Sequence, residues 1–411
     1  MREIELAKTS KDKARVALSK PAPLGEDIDL DQYSHSVDEL PYQDDPLKLP
    51  LETQQQMTQV GITLKDDSQR SATIIQMDHS IVHNLIGQEG IEVMGTKQAL
   101  EKYDWLSGYL WKAVAVDSDK YTAHVELNQN NGYFIRSLPG SKTVYPVQAC
   151  LYLSRNNLAQ NVHNIIIAEE GSELHIITGC TTAPRVEQGL HLGISEFYIK
   201  RGARVTFTMV HNWTPEIVVR PRTGIIVEGD GVFINNYVIM RPVHSLQTNP
   251  IAWCVGNNAV VRFNSILVAA PGSSMDVGSQ VLLNAEGSRT EIISRAITTG
   301  GEIISRGYIE GNAPEVKGHL ECHGLILRGE GIIHAIPELK GTLAGIDLSH
   351  EAAVGKIAEE ELEYLMIRGL TRDEATSTIV RGFLRVDIEG LPSELSAELH
   401  RVVEASGKEF M

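Results

Sequence analysis

Residues 289–306 read Arg-Thr-Glu-Ile-Ile-Ser-Arg-Ala-Ile-Thr-Thr-Gly-Gly-Glu-Ile-Ile-Ser-Arg, so that Glu291–Arg295 recurs as Glu302–Arg306 after Gly300 and Gly301. Two short β-branched runs joined by a glycine turn are what stacked strand coils need. Each coil buries one face and takes its backbone hydrogen bonds from its neighbours. The same texture spreads outward from this repeat. Between about 126 and 348, short β-rich runs alternate with Gly, Asn, Asp and Ser: Ile165–Ile167, Leu174–Ile177, Phe197–Ile199, Val205–Met209, Ile225–Val227, Val232–Ile234 and Val260–Phe263. Long amphipathic patterns are missing there. The fold expected is mainly β, a parallel β-helix, with a β-sandwich or jelly roll as the competitor.

The flanks differ from this core. Residues 61–125 read as a small α/β domain. Ala72–Met77 suits a strand, Thr96 an N-cap, and Leu100, Tyr103, Leu106, Leu110 and Trp111 a helix over 97–112. Residues 1–60 read as an extended or mobile arm, basic at first (Lys8, Lys11, Lys13, Arg15, Lys20), then acidic and punctuated by proline. The C-terminal part, 349–411, reads as helical. Leu362, Leu365, Met366 and Ile367 form an apolar patch closed by Gly369 as C′. Thr371 and Glu374 make a capping box for a helix carrying Ala375, Ile379, Val380, Phe383 and Leu384. Ser393 opens a third helix with Leu395, Leu399, Val402 and Val403. These stripes either pack on the β-core or dock a partner.

Composition narrows the function. The chain has 411 residues, 42% hydrophobic and 22% charged, enough for two or three ordinary globular domains. With 37 basic and 53 acidic residues the net charge is -16, which argues against a nucleic-acid surface. No apolar run reaches the ~20 residues of a membrane span. The first residues lack the apolar stretch of a secretory signal, so a cytoplasmic protein is expected. The four cysteines, Cys150, Cys180, Cys254 and Cys322, stand far apart without a CxxC pair. That spacing suits reduced thiols, not a zinc ribbon or a disulfide framework.

No phosphate loop, GxSxG or HExxH motif is present, and no carboxylate pair stands out by spacing. Glu321-Cys322-His323 and Ser349-His350-Glu351 combine soft and hard ligands. Strand alternation puts Cys322 on the inward parity of Leu320, and Cys180 on that of Leu174 and Ile176. Both cysteines therefore read first as core residues, and His350–Glu351 as a surface pair.

Four blocks then carry a resemblance: 164–180, 190–213, 288–307 and 350–383. In order and spacing they resemble the SufB/SufD family of iron–sulfur cluster assembly proteins, closer to SufB, over roughly residues 70–411. The resemblance implies a right-handed parallel β-helix whose C-terminal helices hold a SufC-type ABC ATPase. It implies a homodimer or a SufB/SufD-type heterodimer paired through the β-helices, and a scaffold that builds a transient iron–sulfur cluster from iron and delivered sulfur. A reduced flavin and a sulfur donor belong to the same expectation; catalysis, nucleic acid and membrane do not. Residue by residue, Cys322 matches the SufB interface cysteine. Glu351 and His350 match the His-Glu-Ala motif, and His350 also the SufD histidine thought to face that cysteine. Cys180 matches the sulfur-accepting cysteine, and Trp213 a tunnel-lining tryptophan. His211 stands where SufB has Gln, Leu348 where SufD has Cys, and Ser349 where SufB has an acidic residue. Leu362, Leu365, Met366, Ile379 and Phe383 are the expected ATPase-docking side chains.

The ligand chemistry is consistent with a scaffold. Thiolate, imidazole and carboxylate all ligate iron, and a sparse mixed set releases a cluster more easily than four thiolates. Two other readings remain at this stage. One is a β-helix carbohydrate-active enzyme, and the other a SufD-like structural subunit without a cluster site of its own.

Overall fold

The computed structural model describes residues 9–64, 70–128, 130–239, 241, 243–327 and 330–384. The third helix expected from Ser393 lies outside them. The core is a β-solenoid of about eight coils. Its strands form a ten-stranded and a twelve-stranded sheet. In spatial order the ten-stranded sheet runs Ser80–Ile86, Ala72–Met77, Val147–Leu153, Glu173–Thr182, Arg204–Asn212, Val232–Ile239, Val260–Ala269, Arg289–Thr298, Lys317–Ile326 and Asp347–Gly355. All neighbours from Ala72–Met77 onward pair in parallel, and only the first pair is antiparallel.

One corner of each coil needs a left-handed backbone. Gly171, Gly202, Asp230, Asn258, Gly287, Glu315 and Gly345 all have φ between 56° and 82°, about 29 residues apart. Glycine, asparagine and aspartate take that conformation at least cost. This is the true coil period. The repeat Glu291–Arg295/Glu302–Arg306 is a half-coil, one copy in each sheet. Ile292 and Ile303 are both buried in the shared core, and Ser294 and Ser305 meet across it.

Burial patterns reveal what covers the outside. Strands Leu158–Ala168 and Gly189–Ile199 are buried at every position, whereas Arg289–Thr298 and Lys317–Ile326 largely alternate, as a sheet with one solvated face does. The fully buried strands lie beneath the N-terminal region. Its helices are α1 (Ser10–Ala17), α2 (Leu51–Gln59), α3 (Thr96–Lys102) and α4 (Lys120–Leu127). Residues 9–64 are thus packed and partly helical, contrary to the expectation of an extended or mobile arm. Ala14, Ala17, Met57, Val60 and Ile62 are buried. Of the charges that suggested an arm, Lys11, Lys13 and Arg15 lie on α1, while the acidic residues 26–45 lie in the segment between α1 and α2.

The helix expected over 97–112 is shorter. It begins at Thr96, with Gly95 as N-cap, and ends at Lys102; a 3-10 turn follows at Asp104–Gly108. Thr96 spends its hydroxyl on the carbonyl of His163 at 2.8 Å instead of capping. Trp111 takes a positive φ of 57° where Glu196 gathers the backbone N–H groups of Trp111, Lys112, Ala113 and Val114 at 2.6–3.1 Å. The apolar residues read as one helical stripe do face the solenoid, but from a broken element.

At the other end the β-region runs on to Gly355, past the boundary expected at 348. Helices α5 (Glu359–Ile367) and α6 (Arg372–Phe383) follow. The capping box of Thr371 and Glu374 is present, and Gly369 has φ 100° just beyond α5. Val380 packs with Ile297 and Leu325 on the outer face of the ten-stranded sheet. The last coil itself is bare: Ile332, Leu343 and Val354 are 56%, 47% and 43% exposed. No helix among the described residues is long and apolar enough to cross a membrane.

Candidate functional site

In a parallel, in-register sheet, paired residues point the same way, and alternate residues of each strand point inward. Thr178 pairs with Met209, Met209 with Tyr237, Tyr237 with Ser265, Ser265 with Ser294, Ser294 with Cys322, and Cys322 with Ala352. This stack is inward-facing and mostly polar, and off it the interior also holds Gln160, His191, His211 and Asn235 among aliphatic and aromatic side chains. Five strand-to-strand steps separate Thr178 from Cys322, about 24 Å at ~4.8 Å each. Cys180 lies on the same face two residues beyond Thr178 and pairs with His211.

At the Cys180 end the interior groups are oriented by hydrogen bonds. The Trp213 indole donates to His211 Nδ1 at 2.7 Å. Complete burial, reinforced by neighbouring His191, pushes the His211 pKa well below the ordinary imidazole value and keeps the ring neutral. With Nδ1 accepting, the proton sits on Nε2, which has no hydrogen-bond partner among the described residues. His191 Nδ1 donates to Gln160 Oε1 at 2.9 Å. The Gln160 amide donates to the carbonyls of Asp78 and Tyr152, which sets that orientation. Burial also raises the Cys180 thiol well above the normal range, with nearby Cys150 adding to it, so Cys180 rests as a neutral thiol. Between the two cysteines lies a cavity of about 30 Å³, whose wall includes Met209, Asn235, Tyr237, Phe263 and Ser265. Such a volume holds about one water. The Tyr237 hydroxyl is buried there without a hydrogen-bond partner among the described residues.

At the far end the interior is lined by hydroxyls. Ser305 lies 2.9 Å from Ser294 and donates to the Cys322 sulfur at 3.8 Å. Burial raises the Cys322 pKa. The Ser305 hydrogen bond opposes that shift, Glu321 adds to it, and Arg295 lowers it. Cys322 is 2% exposed. His350 pairs with Leu320, so it shares the inward face with Cys322, one strand over and two residues back. Strand geometry puts their Cα atoms about 8 Å apart. Unlike Cys322, His350 is exposed, because it sits on the uncovered last strand.

Glu351 is on the opposite face. It pairs with Glu321, and its carboxylate lies 3.8 Å from His323 Nε2. His323 Nδ1 is 3.4 Å from Glu321, whose carboxylate bonds Arg295 at 2.5 Å; Arg295 lies 6.0 Å from the Phe383 ring of α6. Within one chain the fold therefore brings Cys322 and His350 near each other and turns Glu351 outward. Among the described residues no group of three His, Cys, Asp or Glu side chains is placed to hold a metal ion. The other two cysteines lie off this line. Cys150 faces outward beneath the covering segment 49–64, and the Cys254 thiol is pushed up to about 12 by burial. Of the expected docking side chains, Leu362 is buried and Leu365, Ile379 and Phe383 half-buried, while Met366 is 39% exposed beside Tyr364 and Ile367 at 55% and 85%.

Sequence reading passed over Tyr237, Ser265, Ser294, Ser305 and Arg295 as site residues. The repeated Ser-Arg pairs were a usable signal, since they put two hydroxyls at equivalent inward positions. Tyr237 and Ser265 carried none before the register was known.

The family model for the SUF system FeS cluster assembly, SufBD core domain, matches residues 151–383, from the strand before Cys180 to the end of α6. The chain belongs to the SufBD family. A SufBD family protein of iron–sulfur cluster assembly from Methanothermobacter thermautotrophicus is 50% identical over 405 residues, 96% of this chain and 98% of its own length. One from Archaeoglobus fulgidus is 52% identical over 357 residues, covering 87% and 96%. A Staphylococcus aureus SufBD family protein is 29% identical over 367 residues, covering 87% and 78%. As a SufBD family member the chain is an iron–sulfur cluster assembly protein. Its matched region contains the whole interior stack and both candidate ends.

Proposed function

We propose that this chain is a SufB-like scaffold that receives sulfur at Cys180, passes it along the solenoid interior, and builds a labile cluster at Cys322 and His350. The observation that carries this reading is the inward polar stack from Thr178 to Cys322, with a small cavity midway. A core selected only for packing gains nothing from hydroxyls at these positions, since each costs free energy unless hydrogen-bonded. Both thiols rest protonated, so sulfur transfer requires a local opening or a delivered base, and the resting scaffold is chemically quiet.

The uncovered last coil supports assembly at a two-chain interface. Among the described residues one chain offers only a thiol and an imidazole on that face, and a second bare end would complete the ligand set. Glu351, on the outer face, then serves iron entry or the neighbouring chain, not the same chain's Cys322. A SufC-type ATPase would dock on the exposed Tyr364, Met366 and Ile367 of α5, with α6 held to the solenoid. Homodimer and SufB/SufD-type heterodimer are both compatible with this end. The cluster is cargo, made and handed on.

Anaerobic reconstitution with iron and sulfide, read by visible absorption and Mössbauer spectra, tests the site. Wild type should form a cluster, and Cys322→Ala and His350→Ala should each lose it. Equal clusters in all three would overturn the assignment. Cys322→Ala that leaves assembly intact in an otherwise normal complex would favour the SufD-like structural role.

A further inference from the structure

Three histidines from three separate elements converge where the N-terminal segment crosses the solenoid. His35 belongs to the segment itself, His124 to α4, and His79 to the turn between Ala72–Met77 and Ser80–Ile86. The His35 and His124 rings meet edge to face with centroids 4.6 Å apart. His35 Nδ1, His79 Nδ1 and His124 Nε2 are all buried without a hydrogen-bond partner among the described residues. A buried polar atom left unpaired is costly, and three at one joint are more than packing requires.

The joint holds a thin strap. Ser34 bonds Asn157 and Ala159 at 2.6 and 2.9 Å, Tyr121 bonds the Ile28 N–H at 3.2 Å, and Arg220 bonds the Glu26 carbonyl at 3.2 Å. Ala22, Ile28, Leu30 and Tyr33 are only partly buried against Ala159, Leu190, Leu192 and Val218. Lys120 also bonds the Ile28 carbonyl and pairs with Asp27, but the apolar side chains of the strap stay only partly buried, and peripheral segments of this kind open locally before the core does. We propose that His79 and His124, the latter packed against His35 of the strap, form a proton-sensitive latch, which holds the strap on the solenoid when they are neutral and releases it when they are charged.

Neighbouring groups favour that outcome. His124 is opposed by His35 and His79, and its Nδ1 is met by the Asn128 amide. Lys97, from α3, opposes a charge on His79, and the strand beneath offers only the Ala159 carbonyl and the Asn161 N–H. Asp78 is turned to Ser154 and Arg155. No carboxylate contributes to keeping a proton on His79 or His124 among the described residues. Burial brings both rings down from 6.5 to about 4. Depressed values mean that the folded, latched state binds fewer protons. The latch is then complete above pH 6.5 and weakens progressively as pH falls toward 4. Going from pH 7.5 to 5 should raise strap opening on the order of 30-fold for each ring that regains water.

The test is amide hydrogen exchange of the full chain between pH 7.5 and 5, corrected for the chemical exchange rate, with peptides from 289–326 as internal reference. Opening of 20–49 should rise at least tenfold relative to the reference, and the His79→Gln/His124→Gln variant should lose most of that pH dependence. Unchanged relative protection, or parallel loss in strap and reference, would overturn the latch. Should the variant fail to fold, histidine-selective NMR titration of wild type decides: ring values near 6.5 for His79 and His124 would overturn it, and values near 4 would support it.

Discussion

At Glu196, a single carboxylate with no exposed surface accepts from the backbone N–H groups of residues 111–114, from the Tyr198 hydroxyl at 3.0 Å, and faces His163 Nε2 at 2.9 Å. It pins the broken helical element to the solenoid. Its pKa is lowered overall, His163 and the backbone donors outweighing the burial that raises it. A depressed carboxylate value contributes stability that is present above the ordinary range and lost as pH falls through the folded value. Glu196→Ala strands several donors in a dry site and should cost about 3–5 kcal/mol in urea unfolding, with Glu196→Gln losing less. A second prediction concerns orientation: Trp213→Phe frees His211 Nδ1. The fold should survive, and thiol labelling of Cys180 after mild denaturation should begin at lower urea than in wild type. The inward parity of Cys180 and Cys322 was legible from alternation alone. The opposite facing of His350 and Glu351 was equally implied by their adjacency, but a motif read as a unit hid it.

Whole elements were legible where the signal is local. The Thr371–Glu374 capping box and Gly369 sit in contacts only three or four residues apart, so sequence suffices to place them. The end of the expected helix over 97–112 was not legible, because its last residues are held instead by Glu196, more than eighty residues away in sequence, with a positive φ at Trp111. The coil corner was also missed. Its left-handed residue is glycine in only some coils, and a period of about 29 residues is diluted by variable turns. This corner gives a paired prediction. Glu315 bears a Cβ at φ 59°, so Glu315→Gly should raise stability by up to about 1 kcal/mol. Gly287 has φ 69°, and an added Cβ would come within 2.6 Å of Asn258 Oδ1, so Gly287→Ala should lower stability by about 1–2 kcal/mol. Thermal melts in parallel would check both signs.

For the molecule as a whole, the two ends of the solenoid are unlike. The first is closed by antiparallel strands, helices and the strap; the last offers the strand Asp347–Gly355 with an open edge and Ile332, Leu343 and Val354 in solvent. Sedimentation velocity should show a dimer of wild type, or of wild type with a related subunit, that Val354→Asp with Ile332→Lys converts to monomer. A monomeric wild type would leave the bare end to another partner. The solenoid architecture was legible from the repeat and turn texture, but the asymmetry of its ends was not, because the covering residues come from a segment whose composition resembles an arm.

That asymmetry bears on what such a protein must avoid. A stack of parallel coils with two open edges is a template for unlimited fibre growth, each molecule extending the sheets of the last. Here the reversed terminal strands and the wrapped N-terminal segment remove one template. Pairing through the remaining edge, whether with a second copy or a related subunit, would then stop at two molecules. The same closure that buries the first coils acts as a chain terminator for assembly, and a variant lacking it would be expected to form filaments.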